Sequence, residues 1–293
     1  MKSHVLPAAI NAEELEWTLA SGERVLCYYR AGEGRAVLLL HSINAAPSAY
    51  EMSPFFAAAS LPRPLYAPDL PGFGRSDRPD RVYSPAFFAD AIIDMVRAMA
   101  CGPVDVIALS TTAEFAARAA GQAPELFNSL TLISPTGFTR RREGASTIGP
   151  RVHRVLTLPF LGASLYRALR TRASVRYFLN MGFSGEAPEE MVDYACLTAA
   201  QPGASHAPFY FLCGQFFAPD AVGVLYLPLK LPVLVLFDKD PNISFDFLPE
   251  VVDARENWRA VRIAETLGLP HFEKPAETRA ALLDFWAEAE SAR

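Results

Sequence analysis

The sequence has 293 residues, 51% of them hydrophobic and 20% charged, which suits one well-buried globular domain with a large insertion and excludes a disordered or fibrous chain. Residues 1–20 hold Glu13, Glu14 and Glu16 and no long apolar run, so neither a signal peptide nor a membrane anchor is expected and the chain reads as cytoplasmic. The net charge of −5 is uneven: between residues 138 and 180, Arg140, Arg141, Arg142, Arg151, Arg154, Arg167, Arg170, Arg172 and Arg176 face Glu143 alone, giving +8 there and −13 elsewhere.

Short apolar runs alternate with amphipathic stretches, the pattern of a sheet covered by helices. Strands are expected at Arg24–Arg30, residues 36–41 and Leu65–Pro68. Residues 85–100 place Phe88, Ile92, Met95, Val96 and Met99 at helical spacing. A strand at Val104–Leu109, an Ala-rich helix at 111–122 and a strand at 129–133 follow. The run 231–237 is so uniformly apolar that both its faces should be covered, as in a parallel sheet. A last strand is expected at 258–263 and a closing helix at 275–289. Between 138 and 228 strand signals give way to helical ones, so that segment is expected to form a helical cap over a core of residues 1–137 and 229–293. Cys27, Cys101, Cys196 and Cys213 form no CxxC pair and read as reduced thiols.

The chemistry starts at DVIALSTTAEFAARAA, where Ser110 stands between a strand and a helix. A serine on so tight a turn lifts its hydroxyl above the carboxyl end of the sheet, next to a helix N-terminus that stabilises negative charge. Ala108 is small enough for the turn, whereas Thr112 is β-branched where glycine is usual. Read alone, the string serves equally as a helix N-cap. The loop LLLHSINAAPSAYE occupies the place that donates a second oxyanion amide, here from Ile43, the first coming from Thr111. His41 reads as a brace for that loop and, with Ser42, as a candidate substrate contact. Of the five histidines (His4, His41, His153, His206 and His271) only His271 lies beyond the last strand, and in such hydrolases the partners run serine, acid, histidine along the chain. His271 is therefore the expected base, with Phe272 beside it to exclude water. The acid is Asp240, in LPVLVLFDKDP, with Asp238 the fallback and Asp246 a third candidate. A solvent-facing turn capped by both aspartates is the alternative.

HSIN, PDLPGFGRSDRP, ALSTT, PVLVLFDKDP and LPHFEKP, in that order, resemble the α/β-hydrolase superfamily over residues 24–137 and 230–290. The resemblance implies an α/β fold with a mostly parallel sheet flanked by helices and a helical cap inserted late. It also implies a serine hydrolase that forms an acyl-enzyme on Ser110 with no metal and no cofactor. Gly72 and Gly74 shape a turn rather than a phosphate cradle, with Asp69 and Arg75 tying neighbouring loops. Ser42 stands in place of a glycine, and Thr111 and Thr112 replace a bulky residue and a glycine; both changes are expected to narrow the oxyanion hole. The cap's aromatics, Phe138 and Phe209 among them, point to a bulky apolar ester or lactone. A binding protein with a vestigial triad, and a carbon–carbon bond hydrolase or acyltransferase using the same residues, are the other readings. Nucleic acid is not an expected partner; the arginine-rich stretch reads as a solvated face, with an anionic lipid surface as the bolder alternative.

Overall fold

The structure, a computed structural model, describes residues 6–57, 60–140, 149–158 and 160–291. Eight strands form one sheet: β1 (Glu13–Thr18), β2 (Arg24–Arg30), β3 (Val37–Leu40), β4 (Leu65–Pro68), β5 (Val104–Leu109), β6 (Phe127–Ile133), β7 (Val233–Lys239) and β8 (Trp258–Leu267), ordered β1-β2-β4-β3-β5-β6-β7-β8. Only β2 runs against the others. Strand alternation splits the apolar runs between two cores. Leu38, Leu40, Val106, Val233 and Val235 face one, while Val37, Leu39, Ile107, Leu234 and Leu236 face the other. Each such side chain contributes roughly 1.5–3 kcal/mol on burial, so a sheet covered on both faces is the stable outcome.

The helices that cover the first face are α1 (Pro85–Met99), α2 (Thr112–Gln122) and α8 (Leu248–Ala254). Ser84 caps α1 by accepting the Phe87 N–H at 3.1 Å, Pro85 sets its first turn, and Ala100 ends it in a left-handed conformation. The second face receives a 3₁₀ turn (Ala49–Phe56) and α10 (Pro275–Ser291), whose Thr278, Ala281, Leu282, Phe285 and Trp286 are buried at helical spacing.

Between β6 and β7 the described residues contain no strand. They form α3 (Gly149–Leu156), α4 (Leu161–Leu169), α5 (Arg172–Asn180), α6 (Glu189–Ala199), α7 (His206–Leu212) and a π-helical turn (Val222–Tyr226). Both ends of this insertion pack into the sheet's own core, where Phe138 stacks on Tyr226 at 4.8 Å. Arg141, Arg142 and Glu143 lie outside the described residues. Of the remaining arginines, Arg140 pairs with Glu250, Arg172 with Glu189 and Asp193, and Arg176 with Glu189. No helix among the described residues is long and apolar enough to cross a membrane.

Three elements depart from the sequence expectations. β1 was not foreseen, because its Glu13, Glu14 and Glu16 read as a polar lead-in; it pairs along β2 with those glutamates exposed. Residues 248–254 form α8, and His271 lies on a one-turn helix, α9 (Pro270–Glu273), rather than in a loop.

One buried carboxylate fastens the amino-terminal end of the central strands. Asp105 on β5 accepts from Asn128 and Ser129 on β6 at 2.5 and 2.6 Å and from Arg63 at 2.6 Å. Its side chain is 1% exposed and that of Arg63 11%, and Arg63 also stacks on Trp286 of α10. Asp105→Ala removes the buried acceptor shared by Arg63, Asn128 and Ser129 and leaves Arg63 with the half-exposed Glu290, so a loss of about 3–5 kcal/mol is expected in the urea-unfolding free energy. A loss under about 1 kcal/mol, the worth of an exposed pair, overturns this account.

Candidate active site

Ser110 follows β5 with φ +57, a left-handed turn that costs a non-glycine residue about 1–2 kcal/mol. Its N–H donates to the Ile133 carbonyl at the end of β6 (2.9 Å), and its own carbonyl accepts from Ala113 (3.1 Å). The strain therefore falls on the serine and not on Thr112, which is helical. The Thr112 hydroxyl donates to the His41 carbonyl at 2.7 Å, tying the elbow to the end of β3. Thr112 is thus fully buried beneath the turn, whereas Thr111 lines the cavity.

Ser110 opens into a cavity of ≈ 440 Å³ with Ile43 and Thr111 in its wall. Neither the Ile43 nor the Thr111 N–H has an acceptor among the described residues, which leaves both amides available to a developing oxyanion. The loop bearing Ile43 is set from behind by Glu51, a residue of the 3₁₀ turn that the sequence reading passed over. Its carboxylate accepts the Ser42 N–H at 2.7 Å, the Ser42 hydroxyl at 3.1 Å and the Asn44 amide at 3.0 Å. Ser42 lines the cavity, but its hydroxyl is turned to this carboxylate. Burial raises Glu51 to about 7, against the pull of the Ser42 and Asn44 hydrogen bonds.

Several expected substrate contacts are corrected. His41 is fully buried, with Nδ1–H donating to the Ser42 carbonyl (2.7 Å) and Nε2 accepting from the Leu70 N–H (2.9 Å); burial lowers its pKa to about 4. With both nitrogens engaged, it braces the loop and touches no substrate. Phe138 lies in the sheet core against Tyr226 and Trp258, and Phe209 packs on Tyr166 inside the cap. Phe272 sits against Phe183 and His271, away from the cavity. The aromatics in the cavity wall are Phe178, Phe211 and Phe217, with Leu179 and Met191 beside them.

Of the three candidate acids, Asp240 is the one that lines the cavity. It is the first residue after β7, and its Oδ1 accepts the Asn242 and Ile243 N–H groups at 2.8 and 3.1 Å, while burial raises its pKa despite them. Asp238 is committed elsewhere. Burial acts to raise its pKa, but a hydrogen bond from Arg262 at 2.5 Å and the Thr266 N–H at 3.2 Å outweigh it and hold the group low. Asp246 accepts from the Ser244 hydroxyl and the Arg140 N–H at the exposed start of α8.

His271 does not stand where a base is needed. It is 1% exposed, lies outside the cavity wall and stacks flat on Phe55 at 5.3 Å and 4°. Its Nε2 meets the Glu51 carbonyl at 2.8 Å; a carbonyl only accepts, so that nitrogen carries the proton. Nδ1 has no partner, and burial lowers the pKa to about 4. The ring is neutral and bonded to neither Ser110 nor Asp240. Three residues earlier, Gly268 occupies the cavity wall with Ser110 and Asp240.

The chain belongs to the alpha/beta hydrolase family, whose model matches residues 37–281. An uncharacterized protein of Mycobacterium tuberculosis (strain ATCC 25618 / H37Rv) is 32% identical over 110 residues, which are 38% of this chain and 32% of that protein, so the match spans about a third of the relative's length. Among solved structures, a serine hydrolase involved in carbazole degradation superposes with a TM-score of 0.72 at 17% identity, covering 94% of this chain and 99% of that one. A membrane phospholipase A matches with a TM-score of 0.72 at 17% identity, covering 95% of this chain and 86% of that one. A variant of a meta-cleavage product hydrolase gives 0.69 at 16%, with coverage of 94% and 98%. At these identities the structures share the fold.

Glu51 makes the site's stability depend on pH in a definite direction. Its folded pKa of about 7 lies above the ordinary 4.5, so the fold prefers the protonated acid: the stability it contributes is complete below pH 4.5 and is lost as pH rises to 7. Relative to wild type, Glu51→Gln is expected to gain on the order of 2–3 kcal/mol between pH 4.5 and 7 and nothing further above it, measured by urea denaturation across that range. A flat difference curve refutes the assignment.

Proposed function

We propose that this protein is a serine-dependent acyl hydrolase that cleaves a carboxylic ester or lactone of a bulky, apolar substrate through an acyl-enzyme on Ser110. The observation that supports the reading is the strained turn at Ser110, a residue that lines a cavity together with Ile43 and Thr111, whose main-chain N–H groups have no acceptor among the described residues. The Ser110 oxygen attacks the carbonyl as its proton passes to a base, Ile43 and Thr111 receive the oxyanion, the base returns the proton to the leaving oxygen, and water later releases the acyl group. A second, apolar chamber of ≈ 310 Å³ adjoins the first under the cap, sharing Phe178, Leu179 and Phe211 with it and adding Leu169, Val175 and Ala195. It suits a long or branched hydrocarbon part.

The rival reading, a binding protein with a vestigial triad, is favoured by one observation: the engagement of His271 with the Glu51 carbonyl. Two measurements separate them. A fluorophosphonate is expected to label wild type and not Ser110→Ala, and aryl esters are expected to be turned over with kcat/KM rising about tenfold or more from acetyl to a branched or eight-carbon acyl group, since each buried methylene is worth about 0.8 kcal/mol. A folded wild type that turns over no ester faster than Ser110→Ala supports the binder.

A further inference from the structure

The arrangement around Gly268 leaves the reaction without a base from the chain. The cavity wall contains two carboxylates, Glu51 and Asp240, and no lysine, arginine or histidine among the described residues. Glu51 is occupied by the donors of Ser42 and Asn44. Asp240 differs: Oδ1 takes two N–H groups, while Oδ2 points at Gly268, where a Cβ would stand 3.1 Å from it. The next neighbours of that Cβ are the Gly182 Cα and carbonyl oxygen at 3.7 and 3.8 Å. The φ of Gly268 is one that any residue adopts, so the backbone does not require glycine here. A Cβ would fit after a shift of a few tenths of an ångström by the carboxylate. What glycine supplies is open space beside an acid, in a cavity that the serine also lines, and the serine–histidine–acid plan puts an imidazole next to that acid.

Resting on the hydrolase reading above, we propose that this space is a subsite for a basic nitrogen carried by the substrate, and that this nitrogen is the base. An amine or an imidazole-like ring on the apolar ester sits over Gly268 beside the Asp240 carboxylate, which accepts a hydrogen bond where the neutral nitrogen group carries an N–H and otherwise faces the cation that forms. Its neutral form takes the proton of the Ser110 hydroxyl as the Oγ–C bond forms and the carbonyl electron pair moves onto oxygen. When the oxyanion collapses, the bond to the leaving oxygen breaks and the protonated nitrogen returns the proton to it. Where the nitrogen belongs to the acyl half, it remains in place and activates the water that attacks the acyl-enzyme. Asp240 stabilises the cation formed at each stage, and a counterion relieves a carboxylate that is otherwise partly desolvated and unpaired. The substrate is thus an apolar ester or lactone with a basic nitrogen a few bonds from the carbonyl. Esters that lack the nitrogen bind but react slowly.

The test compares p-nitrophenyl esters of dimethylamino-alkanoic acids, with spacers of two to four carbons, against neutral isosteres in which an isopropyl group replaces the amine. Rates in Ser110→Ala are subtracted to remove self-catalysis. A positioned general base is worth about 10²–10⁴ in rate, so the best amino ester is expected to exceed its isostere at least tenfold in kcat/KM. The preference should rise with pH as the amine is deprotonated and should vanish in Asp240→Asn. Free imidazole is expected to restore turnover of the neutral isostere in wild type but not in Asp240→Asn. Gly268→His, checked for folding by its thermal melt, is expected to reverse the preference by placing an imidazole in the same space. Equal rates for the amino and neutral esters in wild type overturn the proposal, as does rescue by imidazole that survives Asp240→Asn. Failure of the hydrolase reading is distinct: Ser110→Ala then turns over every ester, amino esters included, as wild type does, and Ser110 takes no fluorophosphonate label even with imidazole present.

Discussion

The carboxyl end of the sheet is organised around a single backbone conformation, the left-handed turn at Ser110. A serine has no intrinsic reason to stay there, and about 1–2 kcal/mol favours release. Three contacts over-determine it: the Ser110 N–H on the Ile133 carbonyl, the start of α2 directly behind it, and the Thr112 hydroxyl on the His41 carbonyl. Through His41 the constraint reaches the Leu70 N–H and the Ser42 carbonyl, so elbow, oxyanion loop and the loop after β4 move as one unit. Such strain is tolerable only where its surroundings are rigid, and the chain supplies that rigidity with neutral, buried groups.

The acids around this unit divide by whether their partners are complete. Asp69 accepts the Ala49 and Arg75 N–H groups at 2.7 and 2.8 Å, and Gly74, with φ +49, is needed because any Cβ there would fall on that carboxylate. Burial raises the Asp69 pKa, and these two donors oppose it. Glu51 is equally enclosed and equally supplied with donors. Asp240 differs from both: one of its oxygens takes two N–H groups and the other is directed at Gly268 in the cavity wall, and a buried polar atom left without a donor is the mark of a group with a task beyond structure.

Much of this was visible in the residues. The apolar strands β5 and β7, the Ala-rich α2 and the DVIALSTT junction each announce themselves by pattern, and the architecture follows from their order. β1 escaped because a two-sided edge strand with Glu13, Glu14 and Glu16 lacks the hydrophobic run that marks the interior ones. The base failed for another reason. Choosing His271 as the last histidine in the chain assumes that the position next to the acid holds a histidine, yet the turn after β8 brings Gly268 to Asp240 and sends His271 inward under Phe55. Glycine carries no chemical signal, so its role appears only once the carboxylate's direction is known. Phe138 and Phe209 show the same limit: an aromatic's type does not tell packing from lining.

The outer rim of β1 has a consequence for the behaviour of the protein in crowded solution. A lone outermost strand offers unpaired main-chain groups to any passing extended segment, which invites edge-to-edge growth of sheets between molecules. On a strand of only six residues, Glu13, Glu14 and Glu16 are exposed, the last two paired with Arg75 and Arg24, and the cost of stripping water from these charged groups opposes main-chain bonding by an approaching copy. The feature that hid this strand from a hydrophobicity pattern is thus the one that keeps the sheet from extending beyond its own chain.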